Sequence, residues 1–346
     1  MIFSETQIQN FRNFDRLKIE WCDRINLILG LNGKGKTNLL ESLSILSGWG
    51  GFSGTRNLIN WNNSLQPAYL SAKISGEENF NLTSKITSRI SIKLENKKIS
   101  CTDLRELLPC IIFLTGSINL IDATSAARRL FVDKLCALIH APYAKALADF
   151  KAVNKIRVNL LKARRSPNPT TALFCKTGGY IMETRRKVIA MLKNLLSGSE
   201  NNSENNFELK ILPDLKNLTG AEFLYNSLNL NREREISAMR PLSGVNFDDL
   251  VFIFNNNKSA SEFLSRGQKR MLILNLIITS GNLIYARLKR KPILFFDDLT
   301  AELDVNAREK VLSKLQNTGW QIFLTAPENP FDKKNSVNKF IKPLIL

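Results

Sequence analysis

The chain has 346 residues, 44% of them hydrophobic and 23% charged, with 49 Lys and Arg against 31 Asp and Glu, so its formal charge is +18. Such proportions describe a globular protein of about two domains with a sizeable core. The positive field favours a polyanion, and nucleic acid is the natural candidate, with phosphate contact expected and base reading not. A basic surface kept for solubility is the plain alternative. Five cysteines, at 22, 101, 110, 136 and 175, form no CxxC pair and no even framework, which reads as reduced thiols of a cytoplasmic protein. His140 is the only histidine, which argues against Cys/His metal clusters and suits a structural side chain.

At the N-terminus, MIFSETQIQNFRNF lacks a basic head followed by an apolar block, so no export signal is expected. WCDRINLILG then supplies a short buried strand through Ile25, Leu27 and Leu29. Leu39, Leu40, Leu43 and Leu46 recur at helical spacing just beyond it. Between strand and helix, Gly30, Gly35, Lys36 and Thr37 fit G-x-x-x-x-G-K-[ST] at every defined position. Glycines let backbone N–H groups turn towards phosphate oxygens with no Cβ in the way. Lys36 would place its charge on the β and γ phosphates, and Thr37 would offer its hydroxyl to Mg²⁺. The predicted nucleotide cradle comprises Gly30, Asn32, Gly33, Gly35, Lys36, Thr37 and Asn38.

Residues 65–100 alternate polar and apolar positions, as in YLSAKISG and ITSRISIKLE, and predict β-hairpins extending the nucleotide lobe. From Ser125 to about Leu196 the pattern is helical and strongly basic, broken by the loop RRSPNPTT. Arg128, Arg129, Lys162, Arg164, Arg165, Arg185 and Arg186 are the candidate contacts to duplex DNA, because few aromatics accompany them for stacking on single strands. GSENNSENN, 198–206, reads as a polar low-complexity loop. Further on, MLILNLIITSGNLIYA is interrupted by Asn275, Thr279, Ser280 and Asn282, so no membrane span or membrane partner is expected. KPILFFDDLTAELD pairs a hydrophobic strand with Asp297, expected to hold the Mg²⁺ shell, and Asp298, expected to orient or activate the attacking water. Lys36, Asp297 and Asp298 form the predicted catalytic set, with Thr37 and Asp297 for the metal.

FLSRGQKRMLILNLII carries Leu264, Ser265, Arg266, Gly267 and Gln268 ahead of a helix, and resembles the LSxGQ signature of the ATP-binding-cassette superfamily. A serine hydroxyl and a glycine N–H at a helix start make a second phosphate site. In that superfamily it faces ATP held by the other protomer, so Ser265, Gly267 and Gln268 are expected to bind nucleotide across an ATP-dependent homodimer. Over the chain as a whole the sequence resembles the RecF family of bacterial recombination and repair proteins, head-only relatives of the SMC ATPases. QIQNFRNF, GLNGKGKTNLLESL, SGTRNLINW, TSAARRLFVDKLCAL, YAKALADFKAVNKIRVNLLK, SRGQKR and FFDDLTAELD carry the likeness in order from residue 3 to about 325.

The resemblance implies an α/β P-loop NTPase of the ABC ATPase type. Its nucleotide lobe, with β-hairpins, is expected at 1–113 and 290–346, and a second, mainly helical lobe with the signature at 114–289, all boundaries being approximate. It implies ATP and Mg²⁺ as cofactors, ATP-induced pairing on double-stranded or gapped DNA, recombinase loading, and mediators of the RecO and RecR kind. Three departures accompany it. SGVNFDDL keeps Asp248 and Asp249 of a Gly-Pro-His-Arg-Asp-Asp run but not its His or Arg. Asp298 stands where transporters have glutamate, which predicts slow hydrolysis. WQIFLTAPE offers Thr325 near the switch histidine of transporters. A transporter ATPase subunit, or a non-hydrolysing structural DNA-binding protein, are the competing readings.

Overall fold

The computed structural model describes residues 1–52, 54–114, 120–197, 207–254, 258–301, 303–331 and 341–346; the polar loop expected at 198–206 lies outside them. The chain forms two compact units, Met1–Asn119 with Arg266–Leu346, and Leu120–Ser265.

The first unit holds two sheets. One contains β1 (Ile2–Phe11), β2 (Phe14–Glu20), β4 (Ala68–Ser75), β5 (Phe80–Ile86), β6 (Ile90–Leu94) and β7 (Lys97–Lys98), antiparallel in the order β2-β1-β4-β5-β6-β7. The hairpins expected at 65–100 are therefore present. β5 shows why they form: FNLTSKI buries every second residue, the period of a sheet with one face on the core. The other sheet is parallel and takes β3 (Ile25–Leu29), β8 (Cys110–Phe113), β12 (Ile293–Phe296), β13 (Ile322–Ala326) and β14 (Ile341–Ile345) in the order β14-β3-β13-β12-β8. β8, β12 and β13 are buried at every position, the continuous apolar run of parallel strands covered on both faces.

Helix α1 (Lys36–Leu46) shares a core with both sheets, burying Leu39, Leu40, Leu43 and Leu46 with Phe3, Leu70 and Phe323. Each of these leucines contributes about 1.5–3 kcal/mol by leaving water. A polar tie accompanies them. The side chain of Gln321, itself buried, accepts from the Phe3 N–H at 2.8 Å and donates to the carbonyls of Phe3 at 2.7 Å and Cys22 at 2.8 Å. It thereby stitches β1 to the start of β13.

The unit also contains α2 (Cys101–Leu107), α8 (Arg266–Leu288) and α9 (Val305–Asn317). By length and composition α8 could cross a membrane, but more than half of its apolar window is buried inside the protein. A Cβ on Gly281 would lie 2.3 Å from the Trp320 ring, so this glycine lets the helix back onto the segment before β13. Lys314 of α9 donates to Asn275 of α8 at 2.7 Å. α8 belongs to the first unit, which resumes at Arg266, whereas the lobe boundary expected from the sequence falls near 289.

The second unit is mainly helical: α3 (Ser125–Ile139), α4 (Pro142–Lys162), α5 (Thr171–Ser197), α6 (Gly220–Ala238) and the short α7 (Ala260–Phe263). A small antiparallel sheet runs β11 (Lys258–Ser259), β10 (Asp249–Phe254), β9 (Phe207–Leu212). Helices α5 and α6 meet backbone to backbone, since a Cβ on Gly179 would stand 2.4 Å from the Ala221 nitrogen. Thr219 and Glu222 close a reciprocal capping box at the start of α6. Arg157 and Glu235 are paired at 2.6 Å with side chains 2% and 0% exposed, and loss of either partner would strand a charge.

All five cysteines are free thiols, Cys101 exposed and Cys110 and Cys136 buried. Burial pushes the Cys110 and Cys136 thiols well above their ordinary pKa, which keeps them protonated. Iodoacetamide at pH 8 should therefore label Cys101 first, with Cys110 and Cys136 reacting only in denaturant, as peptide mass spectrometry would read.

Candidate functional site

Strand order builds the site. β13 lies between β3 and β12, so the C-terminal ends of three parallel strands come side by side, with Leu324 opposite both Leu27 and Phe296. The loop after β3 leads into α1, and Asp297 and Asp298 follow directly on β12. Asn32, Gly33, Gly35, Lys36, Thr37, Asn38, Asp297, Asp298 and Pro327 line one cavity of about 220 Å³. Eight of these residues, from Asn32 to Asp298, are among those the sequence pattern singles out; Pro327 carried no signal there.

Backbone conformation explains the glycines. Gly33 and Gly35 have φ of +83° and +101°, the left-handed region that glycine occupies freely. A Cβ on Gly35 would also lie 2.5 Å from the Asn13 amide. The Asn13 side chain donates to the Lys34 carbonyl at 3.2 Å and accepts from Asn38 at 2.8 Å, so the turn between β1 and β2 braces the loop. Arg12, in the same turn, grips the buried Glu41 of α1 through two hydrogen bonds of 2.7 and 3.0 Å.

No side chain caps the N-terminus of α1, where Gly35 occupies the capping position, and no acidic residue stands in the first turn. The helix therefore presents its first N–H groups and partial positive charge to the cavity. Lys36 donates from Nζ to the carbonyls of Gly30 at 2.6 Å and Leu31 at 3.2 Å, which folds its charge over the loop. Gly30 thus acts through its carbonyl, holding Lys36. Asp297 is 6% exposed and accepts on both oxygens, from the Thr37 hydroxyl at 2.9 Å and the Thr325 hydroxyl at 2.7 Å. The N–H of Asp298 donates to the Thr325 hydroxyl at 2.9 Å, and Asp298 sits at φ +60°.

This donor set fits a polyphosphate with a hard divalent cation. N–H groups at a helix start and an ammonium serve the phosphates, while a hydroxyl and a carboxylate beside each other are oxygen ligands for Mg²⁺. Among the described residues no group of three or more His, Cys, Asp or Glu side chains forms a separate metal cluster.

Of the signature residues, Gly267 and Gln268 lie in the first turn of α8, and a Cβ on Gly267 would meet nothing within 4 Å. Ser265 is exposed and is the last residue of the second unit.

The basic candidates of the second unit divide. Lys162, Arg164 and Arg165 are exposed at the end of α4 and beyond. Arg185 is a correction: its side chain is 3% exposed and bonded to Asp133 at 2.9 Å and Asp248 at 2.8 Å, so no DNA phosphate can reach it. Burial opposes its charge, but Asp133, Tyr143 and Asp248 outweigh that and raise its pKa. Arg128 is likewise held by Asp249 at 2.8 and 2.7 Å, Arg129 donates to the Asp248 carbonyl at 2.8 Å, and Arg186 reaches Asp248 at 3.4 Å. Asp248 and Asp249, whose role the sequence left open, are the carboxylates that fasten α3 and α5 to the small sheet. Arrangement in three dimensions, not composition, distinguishes these arginines from solvated ones.

A parallel sheet with a glycine loop, an uncapped helix start and a strand-end aspartate, joined to an antiparallel sheet, defines a P-loop fold of the ABC ATPase type. The profile described as RecF/RecN/SMC N terminal domain matches residues 2–342. DNA replication and repair protein RecF of Leptospira interrogans serovar Lai is 30% identical over 344 residues, covering 94% of this chain and 92% of the relative. RecF of Bacillus cytotoxicus is 29% identical, covering 91% and 89%. The chain belongs to the RecF family. Among solved structures, RecF-ATPrS, a recombination mediator protein in the RecFOR pathway, superposes with a TM-score of 0.82 at 24% identity, covering 96% of this chain and 94% of that one. An SMC head bound to the C-winged helix domain of ScpA gives 0.51 at 15% identity. These likenesses agree with the expected fold.

Replacing Arg185 with Met should destabilise the protein by about 3–5 kcal/mol, because Asp133 and Asp248 lose their shared cation inside the unit. Arg165→Ala, on the surface, should change stability by less than about 0.5 kcal/mol. Urea denaturation of both variants checks the contrast.

Proposed function

We propose that this chain is an ATP-dependent DNA-binding protein acting in recombinational repair of duplex or gapped DNA. The observation that carries the reading is the single cavity in which an uncapped helix N-terminus, Lys36, Thr37 and the Asp297–Asp298 pair converge. The loop N–H groups and Lys36 bind and orient the triphosphate, and Thr37 and Asp297 hold Mg²⁺. When bound, Mg²⁺ supplies charge neutralisation on the phosphate oxygens. Asp298 orients the attacking water. Its short side chain reaches less far than a glutamate would, so hydrolysis is slow.

Ser265, Gly267 and Gln268 of one copy close on the nucleotide held by another, making ATP the link of a homodimer. Support comes from the exposure of Ser265 and Gln268 and from the open space at Gly267. Phosphate contact falls to exposed cations, because Arg128, Arg185 and Arg186 are committed to carboxylates and Arg129 to the Asp248 carbonyl. These are Lys162, Arg164 and Arg165 in the second unit, and Arg16, Lys85 and Lys93 beside a groove of about 430 Å³ on the outer face of the antiparallel sheet. The curated relatives are named DNA replication and repair proteins, and the structural neighbours are recombination mediators of the RecFOR pathway. On that ground the partners are mediators of the RecO and RecR kind, and the compartment is the cytoplasm. A transporter subunit would bind DNA weakly, and a non-hydrolysing structural protein would dimerise without ATP.

Sedimentation velocity with and without ATP should show pairing of the wild-type chain only with nucleotide. Lys36→Ala should abolish that pairing and leave DNA affinity unchanged; dimers of Lys36→Ala at the wild-type level would refute the site. In a second experiment DNA affinity should fall by about three to five orders of magnitude between 50 and 200 mM salt if six to ten phosphates are contacted. A flat salt response would remove the charge-driven model.

A further inference from the structure

We propose that Thr325 is a positioning residue of this site, a hydroxyl that sets the two strand-end aspartates for Mg²⁺ and water. The inference rests on the ATP and Mg²⁺ reading above and names a role for a side chain that touches neither ligand.

Thr325 ends a run, Ile322 to Ala326, in which every residue is buried, and its own exposure is 0%. A valine would serve such a strand at least as well, since it has the same branched shape and buries no polar group. The hydroxyl is therefore explained by its partners. Its oxygen accepts the N–H of Asp298 at 2.9 Å and lies 2.7 Å from Oδ1 of Asp297. A backbone N–H can only donate, so the single hydroxyl hydrogen is directed to Asp297. That orients the carboxylate with its other oxygen towards Thr37, which donates to it at 2.9 Å.

The same hydroxyl anchors the backbone of Asp298 at φ +60°, a conformation that non-glycine residues adopt at a cost unless their surroundings hold it. One atom thus fixes the rotamer of the first aspartate and the backbone of the second. It can do so because β13 is the strand between β3 and β12, with Thr325 one residue beyond the Leu324–Phe296 pair. Such an oriented carboxylate gains value where it must receive a cation that tolerates little angular error.

The test separates orientation from folding. ATP affinity is measured by calorimetry in EDTA and in Mg²⁺ for the wild type, Thr325→Val and Thr325→Ser, alongside steady-state hydrolysis. Thr325→Val should keep EDTA affinity within about twofold of wild type, while its Mg²⁺-dependent gain and its turnover each fall roughly tenfold. Thr325→Ser, which keeps the hydroxyl, should restore both to within about threefold. A full Mg²⁺ gain in Thr325→Val overturns the proposal. So does an equal loss of affinity in both buffers shared by Thr325→Ser, which would mark a packing role. If Thr325→Val does not fold, Thr325→Cys replaces it: a thiol is a weaker donor, so its Mg²⁺ gain should fall below that of Thr325→Ser, and equality overturns the idea. A wild type that binds ATP in neither buffer overturns the nucleotide reading itself, an outcome distinct from unchanged Mg²⁺ gain in Thr325→Val.

Discussion

Asp297 accepts a hydrogen bond on each oxygen from a different element, Thr37 at the start of α1 and Thr325 at the end of β13. A carboxylate only 6% exposed is costly to bury unless its lone pairs are satisfied. The two threonines meet that cost and bind the P-loop helix to the middle of the parallel sheet. Glycines with left-handed backbone, the uncapped helix start and the bracing turn at Asn13 gain their purpose from this fixed point. Because β13 lies between β3 and β12, its Thr325 reaches the carboxylate that Thr37 also holds.

The second unit solves a related problem with charges of opposite sign. Arg185 is buried, and Asp133, Asp248 and the hydroxyl of Tyr143 surround it. Arg157 with Glu235 repeats the device between two helices in full burial, and Arg128 with Asp249 is a partly exposed version between a helix and the small sheet. Buried pairs of this kind contribute little net stability, yet breaking one leaves a naked charge, so they specify how helices meet more than they strengthen the contact. Two cations of the helical segment, Arg157 and Arg185, are thus internal structure, while Lys145, Lys151, Lys155, Lys162, Arg164 and Arg165 are exposed and carry its outward charge.

Motifs read well from the sequence wherever a local pattern has one physical cause. G-x-x-x-x-G-K-T demands a loop between strand and helix, alternation in FNLTSKI demands a half-buried strand, and ILFF ahead of Asp297 demands a covered one. The placement of α8 failed to read because its first turn carries the signature, while its packing depends on Trp320, far along the chain. Arg185 misread for the same reason. A lysine or arginine in a basic stretch looks identical whether its partner is solvent or an aspartate brought in from position 248.

By itself the sequence determined the family, the nucleotide loop, the strand-end carboxylates and the class of ligand, since each is written in contiguous residues whose spacing the backbone enforces. Only the tertiary structure decided which cations are exposed, which unit owns α8, and that Thr325 meets Asp297 and the N–H of Asp298. Those facts depend on contacts between distant segments, and burial, which sets the energy of every charge, is a property of the folded whole.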